Sequence, residues 1–221
     1  MSDLSLPARL FFEFQVPCSY LKPLEGLAPA RLPAAYQLPD LQQLEGSPAW
    51  AEVRAAWNEL GIAFTVRVVG KKRSLWCRAA RAQDSDGFHV WLNTRPAAKL
   101  RRANRYCHHF VFLPTDGIGP VVNPVARFLP IPAARETPNY VRPDKLAVRS
   151  EISPEGYTLD IFIAAEALTG FDPQEVPQLG FNYAVIDREL GLQTFGVGPP
   201  LPYNEDPSLW PILELVRSVP T

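Results

Sequence analysis

SPAWAEVRAAWNELGIAFTVRV, residues 47–68, decides between two folds. Read as a helix, Ser47 caps it, Pro48 takes the first position and Gly61 stops it, with Trp50, Val53, Trp57 and Leu60 on one face. Read as a hairpin, EVRAAW is one strand, NELG the turn and IAFTVRV the second strand. Val53, Ala55 and Trp57 alternate as a strand requires, and Ile62, Phe64, Val66 and Val68 then share a face opposite Thr65 and Arg67. The β-branched second half favours the hairpin.

The same period of two recurs along the chain. FFEFQV alternates near the start, and GFHVWLN sets Phe88, Val90 and Leu92 opposite His89 and Trp91. YTLDIFI and LGFNYAVID repeat the pattern, LAVRSEI more weakly, and SPEGY, RELG and GVGPP supply turns between them. AAEALTGF is the only other helical candidate, one or two turns long. Residues 114–144 carry many prolines and no clean period, which predicts a long loop packed over the sheets. About ten short strands and almost no helix predict an all-β chain, an antiparallel β-sandwich of jelly-roll type. One domain over residues 1–221 is expected, with the first 49 residues supplying a strand and loops packed on it.

Composition agrees. Hydrophobic residues make up 47% and charged residues 20%, enough for a sizeable core, and 24 prolines favour short strands joined by ordered loops. A net charge of -1 gives no global basic field for nucleic acid or anionic lipid, and no apolar run spans a bilayer. The N-terminus lacks a basic n-region and a cleavage site, so a cytoplasmic location is expected. Cys18, Cys77 and Cys107 are odd in number and scattered, which predicts free thiols.

RYCHHFVFLP, residues 105–114, is the stretch that looks most like chemistry. In a strand, neighbouring side chains point to opposite faces, so His108 and His109 cannot chelate one metal together. Cys107 and His109 share a face, and so do Tyr106, His108 and Phe110. A zinc site would need further ligands, and the one other histidine is His89. The expected arrangement is a strand with one face buried and the other presenting a histidine, His108, beside a cleft. KLRRANR, residues 99–105, is the one basic cluster and is expected to be a solvated hairpin tip.

In order, these strands resemble the family 9 carbohydrate-binding modules and related DOMON-like sandwiches. VRAAWNELGIAFTVRV is similar to the opening hairpin of that family, and QDSDGFHVWLNT to its next strand. EGYTLDIFIAAEALTGF, LGFNYAVIDRE and DPSLWPILEL resemble three later elements, so the likeness covers about residues 50–217. Asp160, Ala164 and Pro211 depart from the family's usual Glu, Pro and Gly. The resemblance implies a non-catalytic sandwich with a sugar cleft flanked by two aromatics, Trp76 and then Phe195 or Tyr203. Asp84, Asp86, Arg105 and Asp187 are its implied polar groups, joined by His108. A carbohydrate or an unidentified protein is the expected partner, with neither nucleic acid nor membrane.

No cofactor is expected. Asp84 and Asp86 offer two carboxylates to a calcium ion but lack the Gly and Glu of an EF-hand loop, and Asp84 has Arg78 and Arg81 at hand. A Met/His haem site, known among DOMON-like domains, fails because Met1 is the single methionine. The rival to sugar binding is an interaction domain that kept the sandwich and lost the cleft.

Overall fold

The computed structural model describes residues 7–22, 29–46, 48–97, 99–119 and 122–218. Ser47, Met1 and the start of the N-terminal segment lie outside these. The hairpin reading of residues 51–68 holds: β2 (Ala51–Asn58) and β3 (Gly61–Val69) pair antiparallel from Ala51↔Val68 to Asn58↔Gly61. Glu59 and Leu60 form the turn, and the Leu60 N–H donates to the Asn58 side-chain oxygen over 2.9 Å. Gly61 has a φ of 148°, and a Cβ there would strike the Ile163 carbonyl of the next strand, so only glycine closes this hairpin.

The remaining strands are β1 (Gln15–Tyr20), β4 (Gly87–Asn93), β5 (Cys107–Leu113), β6 (Val125–Leu129) and β7 (Leu146–Ser153). After them come β8 (Gly156–Ala164), β9 (Gln178–Asp187), β10 (Gly191–Thr194) and β11 (Ile212–Val216). They form one sheet in the order β6-β5-β4-β9-β11-β1-β2-β3-β8-β7, with β10 added on β9. The sheet folds over on itself. Phe64 of β3 packs 5.6 Å from Phe88 of β4 and 6.0 Å from Phe181 of β9, stacked on the latter. Ile62, Phe64, Val66 and Val68 face Phe88, Val90, Leu92, Phe110, Phe112, Phe181 and Val185 in one buried core. Burying side chains of this size contributes roughly 1.5–3 kcal/mol each.

Two expectations need correction. The sheet is mixed rather than antiparallel, because β1 runs parallel to both neighbours, β11 and β2. Pro17 is tolerated inside β1 because pairing with β2 starts only at Ser19, so no ladder partner is lost there. The segment 114–144 is not all loop: after Pro124, Val125–Leu129 adds β6 to the edge of β5. Its half-buried side chains explain why no clean alternation marked it. AAEALTGF is helical for one turn, the 3-10 segment Ala165–Ala167, within the one or two turns expected.

The outer faces are covered as well. Leu32 and Tyr36 pack over Ala56, Ala63, Phe162 and Ala164 on the outside of β2, β3 and β8. Ile131 and Trp210 cover Trp91, Cys107 and Ala184 on the outside of β4, β5 and β9. No helix among the described residues is long and apolar enough to cross a membrane.

Candidate functional site

The two-residue bend Ser85–Asp86 leads into β4 at Gly87, and β9 ends at Asp187, its antiparallel neighbour, which brings two carboxylates side by side. Between them lies the Lys71 ammonium, 3.2 Å from Asp86 and 2.5 Å from Asp187, with all three side chains buried. Asp86 also accepts the Trp76 and Arg188 backbone N–H groups, and Asp187 accepts those of Glu189 and Leu190. Burial alone would push the Lys71 ammonium down. Hydrogen bonds to Asp187 and Asp86, with their charge, outweigh it and raise the group above its ordinary value. Burial, then the charges of Asp187, Asp86 and Cys77, push the nearby Tyr157 phenol well up. The cluster ties the loop 71–77 to the ends of two strands.

Trp76 lies over this knot, half-buried, with the guanidinium of Arg188 at 5.0 Å from its ring, Arg81 at 5.7 Å and Arg78 at 5.8 Å. Asp84 is exposed and paired with Arg81 at 2.8 Å. Asp84 and Asp86 therefore point apart, the second already neutralised by Lys71. Arg105 is exposed and rests on the neighbouring Tyr106 ring at 5.0 Å.

The structure does not gather the sequence-derived residues into one cleft. Phe195 is 1% exposed and packs on Phe181 and Tyr183 in the core. His108 is likewise interior rather than beside a cleft, because its face of β5 looks into the sandwich. Its Nε2 accepts the Thr169 N–H at 2.9 Å, and burial pushes it down to about 4, the Leu92 and Tyr106 backbone offsetting only part.

The opposite face of β5 is equally covered. His109 stacks on Trp91 at 4.4 Å, and its Nε2 lies 3.1 Å from His89 Nδ1, one ring donating to the other. Burial pushes His89 down to about 4; burial and then the His89 charge hold His109 well below the usual histidine value. Tyr203 meets Trp91 edge-on at 5.6 Å. His89 Nε2, Trp91 Nε1 and the Asn182 amide nitrogen are buried without a hydrogen-bond partner, and Trp91 and Asn182 are register neighbours on β4 and β9. Among the described residues no three His, Cys, Asp or Glu side chains converge into a metal-ligand set. Cys18, Cys77 and Cys107 are free and buried.

The open concave surface lies elsewhere. A groove of about 520 Å³ runs across the strand ends, lined by Phe12, Phe14, Asn93, Arg101, Gln178 and Trp210 among others. Phe12, just before β1, is 58% exposed, and Trp210, just before β11, donates its indole N–H to the Tyr203 carbonyl at 2.7 Å. A second groove, about 470 Å³, runs past Lys71–Leu75, Val122 and Ile152–Gly156 without including Trp76. Sequence reasoning missed the strand-end groove because its residues come from five distant segments. Their common signal, aromatics and amides just outside strand ends, is visible only once the strand order is known.

No family model matches the chain, and no curated protein matches it. Among the solved structures similar to it are two of a family 9 carbohydrate-binding module from Caldicellulosiruptor kristjanssonii. The one in complex with cellotriose superposes with a TM-score of 0.61 at 11% identity, over 93% of this chain and 95% of that one. The one in complex with glucose gives 0.60 at 10% identity, over 94% of this chain and 98% of that one. The fold that the sequence resemblance implied is thus found across nearly the whole chain.

Proposed function

We propose that the protein is a non-catalytic carbohydrate-binding module that holds a saccharide in the strand-end groove. The observation that carries this reading is the make-up of the groove. It offers an open phenyl ring, Phe12, beside amide and guanidinium groups from Asn93, Gln178 and Arg101. A pyranose needs that combination, an apolar face for its C–H surface and polar donors and acceptors for its hydroxyls. The likeness to modules solved with cellotriose and glucose supports the same ligand class. Trp76 is the second candidate, favoured by its partial exposure, but a sugar there must displace the guanidiniums beside the ring.

Calorimetric titration of glucose and cello-oligosaccharides into wild type, Phe12→Ala and Trp76→Ala tests the assignment. Phe12→Ala should weaken binding about fivefold to tenfold with an unchanged melting temperature, since a stacked ring contributes roughly 1 kcal/mol beyond its burial. Trp76→Ala should leave affinity unchanged. The reverse pattern moves the site to the loop 71–86. A wild type that binds no saccharide leaves the interaction-domain reading in its place.

A further inference from the structure

We infer that the strand-end groove selects saccharides bearing carboxylate or sulfate groups over neutral ones. This rests on the carbohydrate reading and names the ligand class within it. Residues 94–115 contain five cations, Arg95, Lys99, Arg101, Arg102 and Arg105, and no Asp or Glu, in a chain of net charge -1. The positive field is therefore local. Three of the five are engaged in the fold: Arg95 pairs with Glu175, Arg102 donates to the Ala133 carbonyl, and Arg105 rests on Tyr106. The other two, Lys99 and Arg101, are exposed, line the groove and have no carboxylate partner among the described residues. Lys99 is also held at a φ of 65°, a conformation that non-glycine residues rarely adopt.

The groove's acidic content does not cancel them. Glu13 is the one carboxylate among its lining residues, and the Arg9 of its wall is already matched by Glu45 at 2.8 Å. A neutral sugar hydroxyl accepts from an ammonium or a guanidinium without bringing a counter-charge. A carboxylate or sulfate brings one, and accepts from arginine in a bidentate pair. A single-stranded nucleic acid offers the same anionic chemistry, but it is favoured by successive stacking rings, and this groove exposes one.

The test is calorimetric titration of cellotetraose, tetragalacturonate, a heparin-derived tetrasaccharide and a short oligouridylate. Each is titrated into wild type and the Lys99→Gln/Arg101→Gln double variant. An anionic tetrasaccharide should bind wild type about tenfold tighter than cellotetraose at low salt. That advantage should vanish in the double variant and in about 0.5 M salt, with the melting temperature unchanged. Which anionic sugar leads separates carboxylate from sulfate recognition, and either supports the inference. Cellotetraose binding as tightly as both anionic sugars overturns it and leaves carbohydrate binding standing. Binding of no saccharide overturns both. Oligouridylate binding tighter than every sugar overturns the inference in favour of nucleic acid.

Discussion

Without the Lys71 ammonium, Asp86 and Asp187 would face each other in the interior with no counter-charge. Lys71→Met should therefore lower stability by about 3–5 kcal/mol in urea unfolding, the range for breaking a buried ion pair from one side. Adding Asp187→Asn should restore part of the loss. If Lys71→Met unfolds at the wild-type midpoint, the knot holds nothing together. The family resemblance pointed to Asp86 and Asp187 as polar groups of a cleft and was silent about Lys71, which lies 15 and 116 positions away from them. That partnership exists only after the strands are ordered. Phe195 and His108 show the matching limit. Alternation says which residues share a face, but where both faces are covered it does not say which face meets ligand.

At the level of elements, the hairpin of β2 and β3 was legible because its turn and its period agree. Gly61→Ala should test the turn. A methyl group there meets the Ile163 carbonyl at a backbone angle that only glycine takes easily, so a loss of about 1–3 kcal/mol is expected from strain and clash. Gly46→Ala is the control: its φ is 70° but nothing lies within 4 Å, so only the backbone penalty should register. Equal losses in thermal unfolding would rule out the clash with β8. The edge strand β6 was not legible, because a half-buried strand with one partner need not alternate. The parallel setting of β1 was hidden too, since a strand's own residues do not announce the direction of its neighbours.

Across the whole molecule, three buried neutral histidines make the fold sensitive to acid. Their folded values lie below the ordinary 6.5, so as pH falls below 6.5 the unfolded chain takes up protons that the folded one refuses. Stability is full above 6.5 and drains away until the folded values, about 4 for His89 and His108, are reached. Each of these two costs up to about 3 kcal/mol over that window, a large share of a domain's roughly 5–15 kcal/mol. Urea midpoints should fall steeply between about pH 6.5 and pH 4.5, and less steeply in His109→Phe, which keeps a ring on Trp91 but removes one proton site. A flat profile would mean the histidines charge without unfolding the sheet.

β1 lies between β2 and β11, joined to the second from Gln15↔Ile212 to Ser19↔Val216. A ribosome delivers the first of these strands long before the last. Until Ile212–Val216 clears the exit tunnel, β1 has one short partner, and among the described residues no strand ladder joins the two halves of the sheet. Closure of the sandwich thus waits for β11 to emerge, and the wide sequence separation from β1 makes it slow. Stalled nascent chains ending before Ile212 should expose β1 to protease, and chains stalled with Val216 clear of the tunnel should protect it.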